Sequence, residues 1–346
     1  MSFGPHRARK IRLSLLALPL LATVACGGGG SSTSSDGAEN PLAGQRLRFI
    51  VPTSPGGGFD TTARQLQPYL EQQLDATLVV ENLTGGGYAI GTQTAINVGG
   101  DCKTILFHAV PHLMFSYLSQ KVDYTLDDLA PVAGVSIEPG MYRVRDDAPW
   151  DSMEELIADA KARPNEIRLS VSDLTTSNFV AVKQLQEATG ADFNVVPYDG
   201  GGPSRTALIA GEVDVTQAGV FNSLSIAEGT KVLAVNQPEN LWPEITDDAP
   251  TTSEALGMEL PSDASNYGVF VPEGCRAGHP ETYQIIVDAV AAAMKDEDYL
   301  ATMEKLGEAD KINYIAPEEY GELAQASADA IKGFLEKDPD AFKDVS

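Results

Sequence analysis

Three glycine-rich loops hold the residues of this chain best suited to chemistry, and the chemistry they suit is the holding of an anion. The first, Thr53-Ser54-Pro55-Gly56-Gly57-Gly58, follows the apolar run 47–51 and leads into Asp60 and a stripe at helical spacing, Ala63, Leu66 and Leu70. A strand that passes through glycines straight into a helix leaves bare backbone N–H groups at Gly56, Gly57 and Gly58, where the helix dipole adds positive potential. Asp60 is placed to cap the orphan N–H groups of that helix and to pair with Arg64 four residues on. The second loop carries Gly85, Gly86 and Gly87 after the run 77–80, and the third carries Tyr198, Asp199, Gly200, Gly201 and Gly202 after the run 194–196. One glycine triplet is also what a plain turn looks like. Three of them, each after a strand and each opening a helix, read as one pocket built from several edges.

Bond-breaking chemistry finds little support. The chain has no P-loop, no Gly-x-Ser-x-Gly elbow, no His-Glu-x-x-His and no Cys-x-x-Cys. His108 and His112 stand four apart, but Pro111 between them disfavours the helix that would put both on one face. No acid or cysteine lies beside them, so no metal site is expected; His108 reads as a pocket wall or a satisfied core histidine. No cofactor is implied. A hydrolase stays open as the weaker alternative, because a triad assembles from distant positions.

The elements that must position these loops alternate. Strands are expected at 47–51, 77–80, 104–107, 141–144, 167–171, 194–196, 213–216, 231–235 and 267–271. Helices are expected at 61–73, 153–162, 179–189, 204–210, 279–295, 298–306 and 317–335. That order indicates an α/β architecture with largely parallel sheets.

The amino terminus supplies the compartment. Arg7, Arg9, Lys10 and Arg12 precede an apolar run that stops at Cys26, too short to span a bilayer, so residues 1–25 read as a signal peptide. Val24 and Ala25 before Cys26 resemble the lipobox of bacterial lipoproteins, in which the cysteine carries the lipid; Thr23 departs from it, where leucine is usual. An ordinary cleaved signal with a nearby cysteine is the alternative. Residues 26–40 are rich in Gly, Ser and Thr and suit a flexible tether. An extracytoplasmic, lipid-anchored protein is expected, with the lipid as its membrane attachment. In that oxidising compartment Cys102 and Cys275, each in a polar turn beside an apolar run, are expected to pair; two free thiols are the alternative.

Loss of the four leader cations takes the formal net charge from −25 to −29. Such a body is a poor partner for nucleic acid, whose phosphates need Lys and Arg. An anionic ligand is still allowed, since backbone N–H groups hold anions locally.

Taken together, the loops resemble those of the solute receptors of tripartite tricarboxylate transporters, the Bug family. The resemblance lies in the first loop with Asp60, Ala63 and Arg64, in Val79-Val80-Glu81-Asn82 with its glycines, in Asp128-Leu129-Ala130-Pro131-Val132-Ala133, in Val196-Pro197-Tyr198 and in Gly211-Glu212-Val213-Asp214. It extends to Pro317-Glu318-Glu319-Tyr320. It implies a two-lobed periplasmic-binding-protein (type 2) fold with a hinge and a ligand cleft, lobe 1 at 41–140 and 251–346 and lobe 2 at 141–250. It also implies a monomer that closes over a small organic acid and presents it to membrane permease subunits. Carried over by position, Thr53, Ser54, Pro55, Gly56, Gly57 and Gly58 would hold a carboxylate, with Gly86 and Gly87 adjoining and His108 and Ala109 lining the same lobe. Ser172, Thr175, Thr176, Ser177, Tyr198 and Gly200 would come from the other. Asp173 and Asp199 depart from the family pattern. If they face the pocket, a monocarboxylate or one bearing hydroxyl or amino groups fits better than a tricarboxylate. A receptor of the same fold for sensing, or for an uncharged or amino-bearing solute, is the runner-up.

Overall fold

The computed structural model describes residues 40–98 and 100–337. The leader, Cys26 and its tether to residue 39 lie outside these residues. The elements in chain order are β1 (Arg46–Val51), α1 (Gly58–Leu74), β2 (Thr77–Asn82), α2 (Ala89–Val98), β3 (Thr104–Val110), α3 (His112–Leu118) and β4 (Leu129–Arg145). Next come α4 (Met153–Ala162), β5 (Arg168–Val171), α5 (Ser177–Thr189), β6 (Asn194–Pro197), α6 (Gly201–Ala210), β7 (Val215–Gly219) and β8 (Thr230–Val235). The chain continues through α7 (Thr252–Leu256), β9 (Ala264–Pro272), α8 (Glu273–Gly278), α9 (Pro280–Ala293), α10 (Glu297–Lys305), β10 (Ile312–Ile315) and α11 (Pro317–Lys337). Among the described residues no helix is long and apolar enough to cross a membrane.

The strands run in the order β2-β1-β3-β9-β4-β7-β5-β6, with β8 and β10 also paired to β4. Pairing is parallel on the two flanks, β2-β1-β3 and β6-β5-β7, and antiparallel wherever β4 or β9 takes part. The sheet is therefore mixed rather than largely parallel. β1 shows why the flanks are parallel: Leu47, Phe49 and Val51 pack with Ala63, Leu66, Leu70 and Leu74 of α1, while Ile50 packs on the other side with Ala95 of α2. A strand covered on both faces is the signature of parallel sheets sandwiched by helices.

β4 is 17 residues long and belongs to both halves. Residues from Leu129 to Pro139 pair with β9, and from Gly140 onward the partners are β7 and β8. The sequence showed only its second half. Pro131 and Gly134 are residues that usually end a strand, yet β4 absorbs them where its register with β9 shifts, between Pro131 and Ala133 and between Gly134 and Ser136, while Pro139 closes the ladder opposite Ala264. At the changeover three passing segments tie into a ring: Gly140 N donates to Asp263 O (2.8 Å), Asp263 N to Asn236 O (2.9 Å) and Asn236 N to Gly140 O (2.7 Å).

A disulfide joins Cys102 to Cys275, with Cα atoms 4.8 Å apart across a sequence separation of 173. It clips the turn before β3 to α8, inside the core shared by β1, β3, α1 and α9.

Candidate functional site

The first glycine loop is held by the residue expected to cap its helix, acting in a different way. α1 begins at Gly58, capped by the extended backbone of Gly57 with no side-chain bond, so Asp60 lies within the first turn. Its carboxylate accepts from Gly56 N (2.9 Å), Arg64 Nε (2.8 Å) and Asn82 Nδ2 (2.9 Å), and Asn82 Nδ2 also reaches Thr53 O (2.9 Å). Burial pushes this carboxyl up, but the three donors and the Arg64 charge outweigh burial and hold it below the usual range. Asp60 braces the loop and leaves the first N–H groups of α1 uncapped.

The third loop turns at Gly200, whose φ of 109° lies in the left-handed region that glycine alone enters cheaply. Gly200 N donates to Ser172 O (2.7 Å), which ties this loop to the loop after β5. The first turns of α1 and α6 then face one another. A methyl group added at Gly202 would stand 3.0 Å from Gly56 O, and Arg205 Nη2 donates to that same oxygen at 3.2 Å. The cleft is closed along this seam.

Behind the seam lies a cavity of about 530 Å3 including its mouth. Thr53, Gly57 and Gly58 line it from the first loop, Gly200, Gly201 and Ser204 from the third loop and the start of α6, and Ser172 and Asn178 from the loop after β5 and from α5. Phe59, Tyr88, His112 and Tyr267 form an aromatic side; Phe59 and Tyr267 ring centroids are 4.8 Å apart. Arg205, Glu138, Gln217, Asn222 and Ser265 supply the remaining polar wall.

Of the residues named from sequence, Thr53, Gly57, Gly58, Ser172 and Gly200 line this cavity. Ser54, Pro55 and Gly56 make the outside of the first turn. Gly86 and Gly87 lie off the cavity; Gly87 is on a second seam, where an added methyl would meet Thr175 Oγ1 at 2.7 Å. His108 and Ala109 are buried in β3, with His108 behind the Phe59 ring at 5.6 Å. Thr175 donates from its N and Oγ1 to Asp173 Oδ1 (2.7 and 2.6 Å), Thr176 caps α5, and Ser177 Oγ bonds Ser265 Oγ (3.2 Å). Tyr198 packs against the small core of Ala207, Leu208 and Val213. Asp173, spent on Thr175 and pushed up by burial, does not line the cavity, and Asp199 is exposed.

Sequence reasoning missed Glu138, Arg205, Asn222 and Tyr267. Arg205 had a usable signal, a cation one turn into a glycine-opened helix of an acidic chain. The other three come from β4, the turn after β7 and β9, and nothing local marks them.

The electrostatics are set by burial. Arg205 is 6% exposed and Glu138 4%. Burial outweighs the nearby Lys311 and pushes the Glu138 carboxyl up to about 7. Burial pushes His108 and His112 down to about 3, so both rings are neutral near pH 7. Three buried polar atoms on the cavity wall have no hydrogen-bond partner among the described residues: Thr53 Oγ1, His112 Nδ1 and Glu138 Oε2. Such atoms cost free energy until something bonds them. Among the described residues neither histidine bonds a hydroxyl or a carboxylate, and no group of three or more His, Cys, Asp or Glu is placed to hold a metal ion.

A mixed α/β frame with a cleft between glycine loops, each at a helix start, is that of a periplasmic solute-binding protein. The chain belongs to the Tripartite tricarboxylate transporter family receptor family (TctC), whose profile matches residues 62–333. The resemblance read from the loops is thereby borne out. It is 34% identical to Protein BugT of Bordetella pertussis over 238 residues, covering 68% of this chain and 66% of BugT. It is 25% identical to the UPF0065 protein in the tcbD-tcbE intergenic region of Pseudomonas sp. strain P51, over 80% of this chain and 82% of that one. Among solved structures, R. palustris Rpa4515 with adipate superposes with a TM-score of 0.75 at 22% identity, covering 84% of this chain and 96% of that one. MatC from Rhodopseudomonas palustris with bound malate gives 0.72 at 20%, covering 87% and 98%. These structures share the fold.

Proposed function

We propose that this protein captures a small organic carboxylate outside the cytoplasm and delivers it unchanged to a tripartite tricarboxylate-type permease, held at the membrane by a lipid on Cys26. The observation that carries this reading is the convergence of the first turns of α1 and α6, with the Arg205 guanidinium, on one cavity. Unsatisfied N–H groups at helix starts and a buried guanidinium favour a carboxylate over a neutral group. Adipate and malate in two structural neighbours are consistent with that class.

The lobes in this reading are residues 41–140 with 251–346, and residues 141–250, acting as a monomer. A ligand touching Gly57 on one side and Arg205 on the other favours the closed arrangement, which is a population shift driven by contact with both lobes. The test is calorimetry of the purified protein against carboxylates, amino acids and polyols, with the ligand recovered and analysed afterwards. Saturable binding of an unaltered carboxylate is expected. Turnover of the ligand, or binding confined to polyols, overturns the reading.

A further inference from the structure

The cavity wall holds an acid as well as a cation. Glu138, near the end of the β9-paired half of β4, has one carboxylate oxygen, Oε1, engaged by Asn222 N at 3.1 Å. The other, Oε2, is buried without a hydrogen-bond donor among the described residues. Lys311 Nζ stands 3.7 Å from it, too far for a hydrogen bond, and donates instead to Asn222 Oδ1 and Glu308 Oε2, both at 3.2 Å. The space is kept for this carboxyl: a methyl added at Gly219 would lie 2.3 Å from Glu138 Cγ and 2.5 Å from its Cδ. A carboxylate oxygen withdrawn from water without a donor is costly, and a ligand that brings one removes the cost.

Resting on the carboxylate reading above, we infer that the ligand carries a protonated amine as well as a carboxylate, and that Glu138 specifies the amine. Arg205 and Glu138 are the base and the acid of the cavity wall that can carry charge near pH 7, since burial keeps His112, Tyr88 and Tyr267 neutral there and leaves Glu138, pushed up to about 7, open to ionisation by a cation placed beside it. One guanidinium and one carboxyl are the complement of a zwitterion. A second carboxylate on the ligand would meet Glu138 instead of a cation, and the buried Lys311 behind it is already shared with Glu308. A hydroxyl would give Oε2 a hydrogen bond alone, whereas an ammonium gives the bond and also the full charge that draws this carboxyl, pushed up to about 7 by burial, into its ionised form.

The test uses sets of acids matched in carbon skeleton, each as the amino acid, the hydroxy acid and the unsubstituted acid, titrated calorimetrically into the wild-type protein and Glu138→Gln. The amino member is expected to bind wild type at least about tenfold tighter than its two counterparts. Glu138→Gln, which keeps the acceptor for Asn222 N, is expected to erase that preference while holding or improving the unsubstituted acid. An unsubstituted or hydroxy acid that matches the amino acid in wild type overturns the inference and leaves the carboxylate reading standing. Failure of every carboxylate in the sets overturns both. The wild-type comparison decides the matter even if the variant does not fold, and a thermal melt of the variant shows whether it does.

Discussion

Gly202 is a residue where one methyl group separates the fold of the protein from the closing of its cleft. It is the second residue of α6, and an added Cβ would stand 3.0 Å from Gly56 O, 3.1 Å from Gly56 C and 3.2 Å from Gly57 N, all backbone of the facing loop. That loop has little freedom to retreat, because Gly56 N is bonded to Asp60 and Gly56 O to Arg205. Three contacts overtight by a few tenths of an ångström cost about 1–2 kcal/mol, in the lower range for overpacked sites. The strain exists only when the loops meet. Alanine within a helix gains up to about 1 kcal/mol over glycine whether the cleft is open or shut, so the fold does not suffer. Closure weakened by that amount lowers affinity about 5- to 30-fold, since the ligand must supply the difference. Gly202→Ala is expected to keep or raise the melting temperature, to bind the best carboxylate of the calorimetric panel about 5- to 30-fold more weakly, and to show a larger radius in small-angle scattering. Affinity within twofold of wild type with unchanged scattering would refute the reasoning, because it would mean that the seam yields.

Two further expectations concern the frame. Replacing Cys102 and Cys275 together by alanine opens a clip across a sequence separation of 173 and is expected to cost about 3–5 kcal/mol of unfolding free energy; an unchanged urea midpoint would sink that estimate. Asp60 has a folded-state pKa below its unfolded one, so its stabilisation is present above the unfolded value of about 4 and is lost as pH falls through the folded value. The stability gap between wild type and Asp60→Asn, read from urea melts, should be full at pH 6 and shrink steadily below about pH 4. A gap independent of pH would show that the carboxylate's charge contributes nothing.

What the sequence made legible is what local pattern encodes. β1, α1 and the first glycine loop announce themselves by alternation, by the stripe of Ala63, Leu66 and Leu70, and by three adjacent glycines. The first half of β4 hid behind Pro131 and Gly134, and α3 hid behind Pro111, because residues that usually end an element were tolerated here by register shifts and by a helix starting just past a proline. Asp60 sat where a cap belongs and was drawn instead to Gly56 and Asn82. The loops of the site could be found one by one. Its charged wall could not, since Glu138, Arg205, Asn222 and Tyr267 meet only after the chain has passed through both halves.

The unbroken run of β4 also fixes what kind of motion the molecule can make. One strand is paired to β9 on one side of Gly140 and to β7 and β8 on the other, and the ring through Gly140, Asn236 and Asp263 pins the crossing point. Sliding one half past the other would break two ladders at once, whereas a swing about Gly140 breaks neither. For the lobe closure proposed above, that makes the joint an axle rather than a slide. In the two-lobed reading, each closure about that axle returns to the same alignment, and the face offered to a membrane permease is set by the angle of the swing.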